Sequence, residues 1–295
     1  MQTPWGDCAV SDAHVHFFSR RFFAALGEHC KIPAGEVAAR LNWEAPPADP
    51  TELARSWAGE LDSHGVERAA LIASIPQDEA STLAAAAAFP DRFYAFAMMN
   101  PWVEHATVTK GLHAICLFPA MHLYSIQDRR VELLLEQAVA HRCAVFVHCG
   151  VLSVGVRKKL GLPSPYDMRY SNPLDLHSVA LRHPSVHFIV PHFGAGYFRE
   201  ALMLADLCPN VYLDTSSSNS WMRYEGLDLP TVFRRALGVV GSSRLLFGSD
   251  SSFFPRGWNH EIFDKQTHTL LELGIGGADA RQILGGNLRR ILTEF

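Results

Sequence analysis

The sequence predicts a single (β/α)8 barrel. Three observations point there. The chain has 295 residues, a size at which one α/β barrel commonly closes. Eight short apolar runs recur along it, separated by amphipathic stretches. Neither a linker nor a break in composition divides the chain, so one domain is expected over residues 1–295. A doubly wound sheet is the competing architecture, and the count of eight favours the barrel.

In chain order, the first strand is CAVSDAHVH, residues 8–16. An insertion follows over 20–50, marked by Pro33, Pro46, Pro47 and Pro50, and a helix fits 51–63. ERAALIASI (67–75) is the second strand, with a helix over 79–89. RFYAFAMMN (92–100) is the third. Only residues 101–112 separate it from the fourth, HAICLFP (113–119), so that helix is short or missing. A helix over 128–142 leads to CAVFVHCG (143–150), and one over 174–183 leads to VHFIVPHFG (186–194). Helix 197–207 precedes NVYLDTS (210–216), and helix 229–238 precedes RLLFGSD (244–250). A helix over 260–273 and a closing pair in GADARQILGGNLRRIL complete the chain. Most runs are apolar throughout, as strands covered on both sides are.

Composition narrows the function. The net charge is −4 and only five residues are Lys, which excludes a basic nucleic-acid surface. No apolar run reaches the ~20 residues of a membrane helix. MQTPWGDCAV lacks a charged region followed by an apolar one, so no secretion signal is expected. Six cysteines (Cys8, Cys30, Cys116, Cys143, Cys149, Cys208) form no CxxC pair. They read as reduced, buried thiols of a cytoplasmic protein. GIGGA (274–278) does not follow a strand, no phosphate loop is present, and Ser153 lacks GxSxG spacing. The serine run 216–218 reads as loop chemistry.

The unusual residues are polar groups on apolar strands. Asp12, His14 and His16 alternate along the first strand, so they are expected on one face, with Ala13 and Val15 on the other. Two imidazoles there are costly to bury unless satisfied, by a metal ion or by backbone and water. His148 ends strand five, His192 strand six and Asp250 strand eight. Any one could be a satisfied core residue. Their coincidence at strand ends 1, 5, 6 and 8 points instead to the active face of a barrel. Imidazoles plus one carboxylate are the donors that catalytic zinc or a similar ion uses.

The pieces DAHVH, VFVHCG, FIVPHFGAG, NVYLDTS, LLFGSD and ILGGNLRRIL resemble the amidohydrolase superfamily, and within it the amidohydrolase 2 family. They run from residue 12 to residue 292. That family includes aminocarboxymuconate-semialdehyde decarboxylase, and its fold is a metal-dependent (β/α)8 TIM barrel. The resemblance implies that His14, His16, His148 and Asp250 ligate the metal. It places His192 beside the metal as an acid–base or carbonyl-polarising group. One departure limits the chemistry. Many relatives carry a lysine in strand four, in a GIKLHP-like stretch, whose carbamate bridges two metals. Here the stretch reads AICLFP, and Cys116 holds that place. A single divalent ion is therefore expected, zinc first and manganese second, with Cys116 a buried structural thiol rather than a ligand.

Such an ion lowers the pKa of bound water to about 7. Asp250 within ~3 Å of that water would take its proton, and His192 would stabilise a developing oxyanion. That is hydrolysis of a small amide, ester or lactone, with a carboxylated substrate expected. Non-oxidative decarboxylation of a small aromatic or unsaturated acid uses the same parts. A non-catalytic, metal-stabilised binding protein is the alternative of another class, and the complete ligand set argues against it. The loops after strands 4, 5, 7 and 8 rim the face and carry His122, Tyr124, Arg157, Lys158, Lys159, Tyr166, Arg169, Tyr170, Trp221, Arg223, Arg256 and Trp258. Arginine recognises carboxylates in a fork geometry. Arg169 and His122 are the first choices for substrate contact, with Tyr124 and Trp258. The expected partner is a small molecule, with neither nucleic acid nor membrane, in a chain that pairs as a homodimer.

Overall fold

The computed structural model describes residues 1–104, 106–216 and 219–293. Ser217 and Ser218 of the serine run lie outside the described residues. The eight expected strands form one all-parallel sheet: β1 (Ser11–Phe17), β2 (Arg68–Ala73), β3 (Phe93–Met99), β4 (Ala114–Leu117), β5 (Ala144–Val147), β6 (Phe188–Val190), β7 (Val211–Asp214) and β8 (Leu245–Leu246). Each pairs with the next in sequence. The sheet closes where the segment after β8 returns to β1. Ala13 N–H donates to the Phe247 carbonyl at 2.8 Å, His16 N–H to the Ser251 carbonyl at 2.7 Å, and Asp250 N–H to the His14 carbonyl at 3.0 Å. The (β/α)8 architecture is thus the one the sequence pattern predicts.

The helices follow the local chemistry. Pro50–His64 starts on Asp49, whose carboxylate accepts from Thr51 N–H, carries Pro50 at its first turn, and stops at left-handed Gly65. Arg129–His141 is capped by Asp128 and Leu229–Val240 by Asp228 in the same way. No helix is described between β3 and β4, as the short spacing requires. β8 is shorter than the apolar run suggests. Gln266 Nε2 donates to Gly248 O just past β8 and to Thr215 O just past β7, and Asn287 Nδ2 donates to Leu245 O within β8.

Alternate strand residues fill two layers. Ile72, Phe96, Cys116, Phe146, Ile189 and Leu246 pack inside the barrel. Leu71, Leu117, Val145, Val190, Leu213 and Phe247 pack outward against the helices. β1 departs from the expected alternation. Its register with β2 shifts between Asp12 and Val15, which is a β-bulge. Ala13 therefore packs in the interior, Val15 outside, and Asp12 reaches Trp258 in the outer layer. Asp12 does not share a face with the two histidines.

The insertion forms two helices, Arg20–Cys30 and Ala34–Leu41. Phe22, Phe23, Leu26, Val37, Ala38 and Leu41 gather with Val156 into a separate small core. It sits beside the residues that follow β1, β2 and β5, including Phe18, Ile75 and Val154. No helix among the described residues is long and apolar enough to cross a membrane.

Candidate metal centre and active face

The bulge in β1 turns both imidazoles into the barrel mouth. His14 Nδ1 lies 2.7 Å from Asp214 Oδ2, at the end of β7. His16 Nδ1 lies 2.7 Å from Ser74 Oγ, just past β2. Each histidine is thus held by Nδ1, which leaves Nε2 as the donor atom toward the mouth. The Nε2 atoms are 3.4 Å apart. Asp250 Oδ1 lies 3.6 Å from His14 Nε2 and 3.2 Å from His16 Nε2. Ligands ~2.0–2.1 Å from a tetrahedral ion stand about 3.3–3.4 Å from one another. The three atoms therefore mark one face of such a tetrahedron. Among the described residues, these three side chains are the group whose ligand atoms all lie within 4.8 Å of one another. The donor set fits a divalent ion.

Several features force this closeness. Asp250 has φ +58°, a left-handed turn that Asp tolerates better than most residues, and it swings the carboxylate back over β1. A Cβ on Gly248 would meet Asp214 Oδ1 at 2.6 Å and His14 Cβ at 3.0 Å, so only glycine admits the approach. Asp12 ties β1 to the last strand from behind. Its Oδ1 accepts from His14 N–H (2.9 Å) and Ser249 N–H (3.0 Å), while Oδ2 accepts from Ser249 Oγ and from Trp258 Nε1 (2.7 Å). Burial raises the Asp12 carboxyl to about 6, against the pull of those bonds. Phe146 packs its ring edge on His14 at 5.3 Å and floors the site.

His148 and His192 stand on the far side. The His148 ring stacks on Phe118 at 5.4 Å and lies 5.4 Å from His192. Among the described residues its buried Nδ1 has no hydrogen-bond partner. An orphaned imidazole nitrogen beside a ligand cluster is what an absent ion or substrate would satisfy. His148 nevertheless lies outside the 4.8 Å group. His192, 5.0 Å from His14 by ring centroids, occupies a left-handed turn in which residues 192–196 all have positive φ. Non-glycine residues in that region cost about 1–2 kcal/mol each. Two glycines make the turn fit: a Cβ on Gly194 would meet Ala201 Cβ at 2.7 Å, and one on Gly150 would meet Gly194 O at 2.2 Å. Ser216 Oγ lies 2.8 Å from His192 Nδ1 and 3.0 Å from His14 Nδ1, linking the two rings.

The electrostatics sort the groups. Burial acts to raise the Asp250 carboxyl, but the His16 bond and the neighbouring imidazoles hold it well below the carboxylate range. Burial opposes charge on His14, yet Asp214 outweighs it and raises that imidazole. Burial lowers His16, with Asp250 opposing. Burial, then His192 and His14, push His148 well down, and burial lowers His192. A charged carboxylate among mostly neutral imidazoles is the state a cation requires.

The remaining candidates fall elsewhere. Trp258 is buried and spends its indole N–H on Asp12, so it belongs to the barrel wall and not the rim. Tyr124 is buried in the outer core, where burial raises its phenol. Arg169 lies on the surface, clamped to Asp167 at 2.5–3.0 Å. His122 alone of the four stays half-buried at the mouth after β4, and burial lowers it to about 4. Cys116 lies in the barrel interior, its thiol pushed well up by burial, and is not in the ligand group. The sequence assigns no role to Asp214 or Ser74 and reads Ser216 as loop chemistry, whereas the fold sets all three against the histidines. For Asp214 the signal was present: it ends an apolar strand just as His148 and Asp250 do.

Comparison with known proteins shows a family and a fold. The family model described as amidohydrolase matches residues 11–293. The fluG protein of Emericella nidulans is 38% identical over 85 residues, which are 29% of this chain and 10% of that protein. The match thus spans a tenth of that relative's length. Among solved structures, 5-carboxyvanillate decarboxylase from Sphingomonas paucimobilis superposes with TM-score 0.62 at 14% identity, over 97% of this chain and 99% of its own. An amidohydrolase from Burkholderia multivorans with bound zinc superposes with TM-score 0.61 at 14% identity, over 96% and 98%. At such identities these two share the fold.

Proposed function

The chain belongs to the amidohydrolase family of enzymes, and from that premise we propose that it is a metal-dependent hydrolase of a small, carboxylated amide, ester or lactone. The observation that carries the reading is the triangle of His14 Nε2, His16 Nε2 and Asp250 Oδ1, with edges of 3.2–3.6 Å. These three would hold one divalent ion, zinc first and manganese second, with His148 the candidate fourth ligand. A divalent ion bound there supplies Lewis acidity toward water and toward a substrate carbonyl.

The chain's own groups do the rest. Asp250 stays ionised and takes the proton of the attacking water, then returns it to the leaving group. His192 is neutral at pH 7, and Ser216 occupies its Nδ1, so Nε2 faces the substrate. From there it polarises the carbonyl or hydrogen-bonds the developing oxyanion. Asp214 and Ser74 fix the ligand rings, and the dry floor of Phe146 strengthens each charge interaction. His122 is the candidate substrate contact on the β4 side.

Decarboxylation is the second reading, favoured by the likeness to the 5-carboxyvanillate decarboxylase. In it a water molecule supplies the proton to the substrate carbon as carbon dioxide departs, with His192 relaying that proton and the hydroxide left behind combining with the carbon dioxide as bicarbonate. A panel of lactones, amides and aromatic acids, assayed with zinc or manganese, separates the two. Acid release with no carbon dioxide supports hydrolysis, and carbon dioxide release from an aromatic acid replaces it with the second reading. No turnover of any panel member in protein shown to hold one ion per chain counts against both.

A further inference from the structure

Ser216 carries a hydroxyl whose single hydrogen has one place to go. The residue is fully buried, and its N–H donates to Asp214 Oδ1 at 2.6 Å. A Cβ on Gly248 would meet Ser216 Cβ at 2.9 Å, so the residues after β8 pack directly on this side chain. Among the described residues, its Oγ bonds to two atoms, His14 Nδ1 at 3.0 Å and His192 Nδ1 at 2.8 Å.

His14 cannot accept the hydrogen. Its Nδ1 faces the Asp214 carboxylate at 2.7 Å, and a carboxylate only accepts. His14 therefore carries hydrogen on Nδ1, whatever its charge. The Ser216 hydrogen is left for His192 Nδ1, and a neutral imidazole that accepts at Nδ1 carries its own hydrogen on Nε2. The other tautomer would aim His192 Nδ1–H at the Ser216 carbonyl at 3.3 Å, beyond the ~2.7–3.2 Å usual for N–H···O. It would also leave a buried hydroxyl hydrogen without an acceptor. His16 is held in the opposite sense to His192. Ser74 Oγ donates to the Ile72 carbonyl at 3.0 Å, so it accepts from His16 Nδ1–H at 2.7 Å. In their neutral forms His14 and His16 thus present a bare Nε2, and His192 presents N–H.

We propose that Ser216 is a positioning residue that holds His192 as the Nε2–H tautomer, a fixed hydrogen-bond donor toward a substrate oxygen. This rests on the active-face reading of His192 and deepens it. An imidazole with hydrogen on Nε2 has no lone pair there, so it takes no proton from water at that atom. The tautomer suits polarisation of a carbonyl, in which no proton leaves the ring. It opposes the proton relay that decarboxylation asks of His192.

The test is long-range 1H–15N correlation NMR of the histidine rings on zinc-loaded wild type, Ser216→Ala and Ser216→Thr. It is run at pH 8, above the ~6.5 of an ordinary imidazole. Each ring nitrogen reports whether it carries hydrogen, and His192→Gln identifies the His192 signals. In wild type, His192 should carry hydrogen on Nε2, favoured roughly tenfold or more, the scale of one unmade buried hydrogen bond. Ser216→Ala removes the donor and leaves the backbone carbonyl of residue 216, so Nδ1–H becomes the major form. Ser216→Thr keeps a hydroxyl and keeps Nε2–H. A merely structural Ser216 would leave the ratio unmoved, so Ser216→Ala that retains the wild-type form overturns the proposal. Wild type with hydrogen mainly on Nδ1, or with zinc on His192 Nε2, overturns it without any variant. The same spectra test the metal centre separately, since zinc should move the His14 and His16 Nε2 signals and spare that of His192. Wild type that takes up no zinc refutes that centre. The His192 form is then read on metal-free protein, because Asp214 holds His14 Nδ1–H without the ion.

Discussion

Replacing Asp214 by Asn tests how the metal centre is built. Asp214 touches neither ion nor substrate in this account. It is fully buried, and its Oδ2 lies 2.7 Å from His14 Nδ1. A charge-assisted bond of that kind contributes about 1.5–3 kcal/mol, against about 0.5–1.5 for a neutral one. Asn keeps the shape but removes the charge, so about 1–1.5 kcal/mol of orientation is lost. That corresponds to roughly a tenfold weaker zinc affinity, at the lower edge of the 10–100-fold range for outer partners of metal ligands. Asp214→Ala removes both bonds, including Ser216 N–H to Oδ1, and should reach the upper edge. The assay is competition against a chromophoric chelator at fixed pH, with circular dichroism to verify the fold. Zinc affinity within twofold of wild type in a folded Asp214→Ala protein would refute the claim that this carboxylate orients His14.

Four further outcomes follow from the same geometry. Asp250→Asn should fold normally, lose most of its zinc, and turn over at least 100-fold more slowly; elemental analysis and a rate measurement check both. His148→Ala should purify metal-poor, whereas His192→Ala should hold near-normal metal with a much lower rate, and the reverse pattern would exchange their roles. Gly150→Ala drives a Cβ to 2.2 Å from Gly194 O at φ +77°, so the melting temperature should fall by several degrees, with overpacking worth about 1–3 kcal/mol. Zinc affinity should fall as the pH drops: Asp214 raises the His14 imidazole, so protons compete for it from a higher pH than for an ordinary histidine. A pH-independent affinity between pH 8 and pH 5.5 would contradict that.

The fold was legible because a closed parallel barrel imposes a regular rhythm. Apolar strands covered on both faces leave runs that a linear reading finds, and the missing helix before β4 was visible as a short gap. The ends of the elements were less legible. β8 is shorter than its apolar run, and around it Gln266 and Asn287, remote in sequence, bond the Gly248 and Leu245 carbonyls. Period-two alternation placed His14 and His16 together, but it placed Asp12 with them, because a one-residue bulge leaves no mark in the pattern.

At the site, residue type and strand position pointed to His14, His16, His148, His192 and Asp250. Their surroundings were not readable. Ser74 and Ser216 are common residues in loops, and only the fold brings their hydroxyls to 2.7 and 2.8 Å of imidazole nitrogens. The rim choices suffered most. Trp258 and Tyr124 lie in loop-like stretches, yet their size draws them into the core. Arg169 is two residues from Asp167, a local pairing that sequence distance alone already favoured.

The most direct test is anomalous scattering at the zinc edge from crystals of zinc-loaded protein. One strong peak per chain is expected, about 2.0–2.2 Å from His14 Nε2, His16 Nε2 and Asp250 Oδ1. A peak whose ligands exclude any of these three side chains, or no peak at the barrel mouth in fully loaded protein, would contradict it.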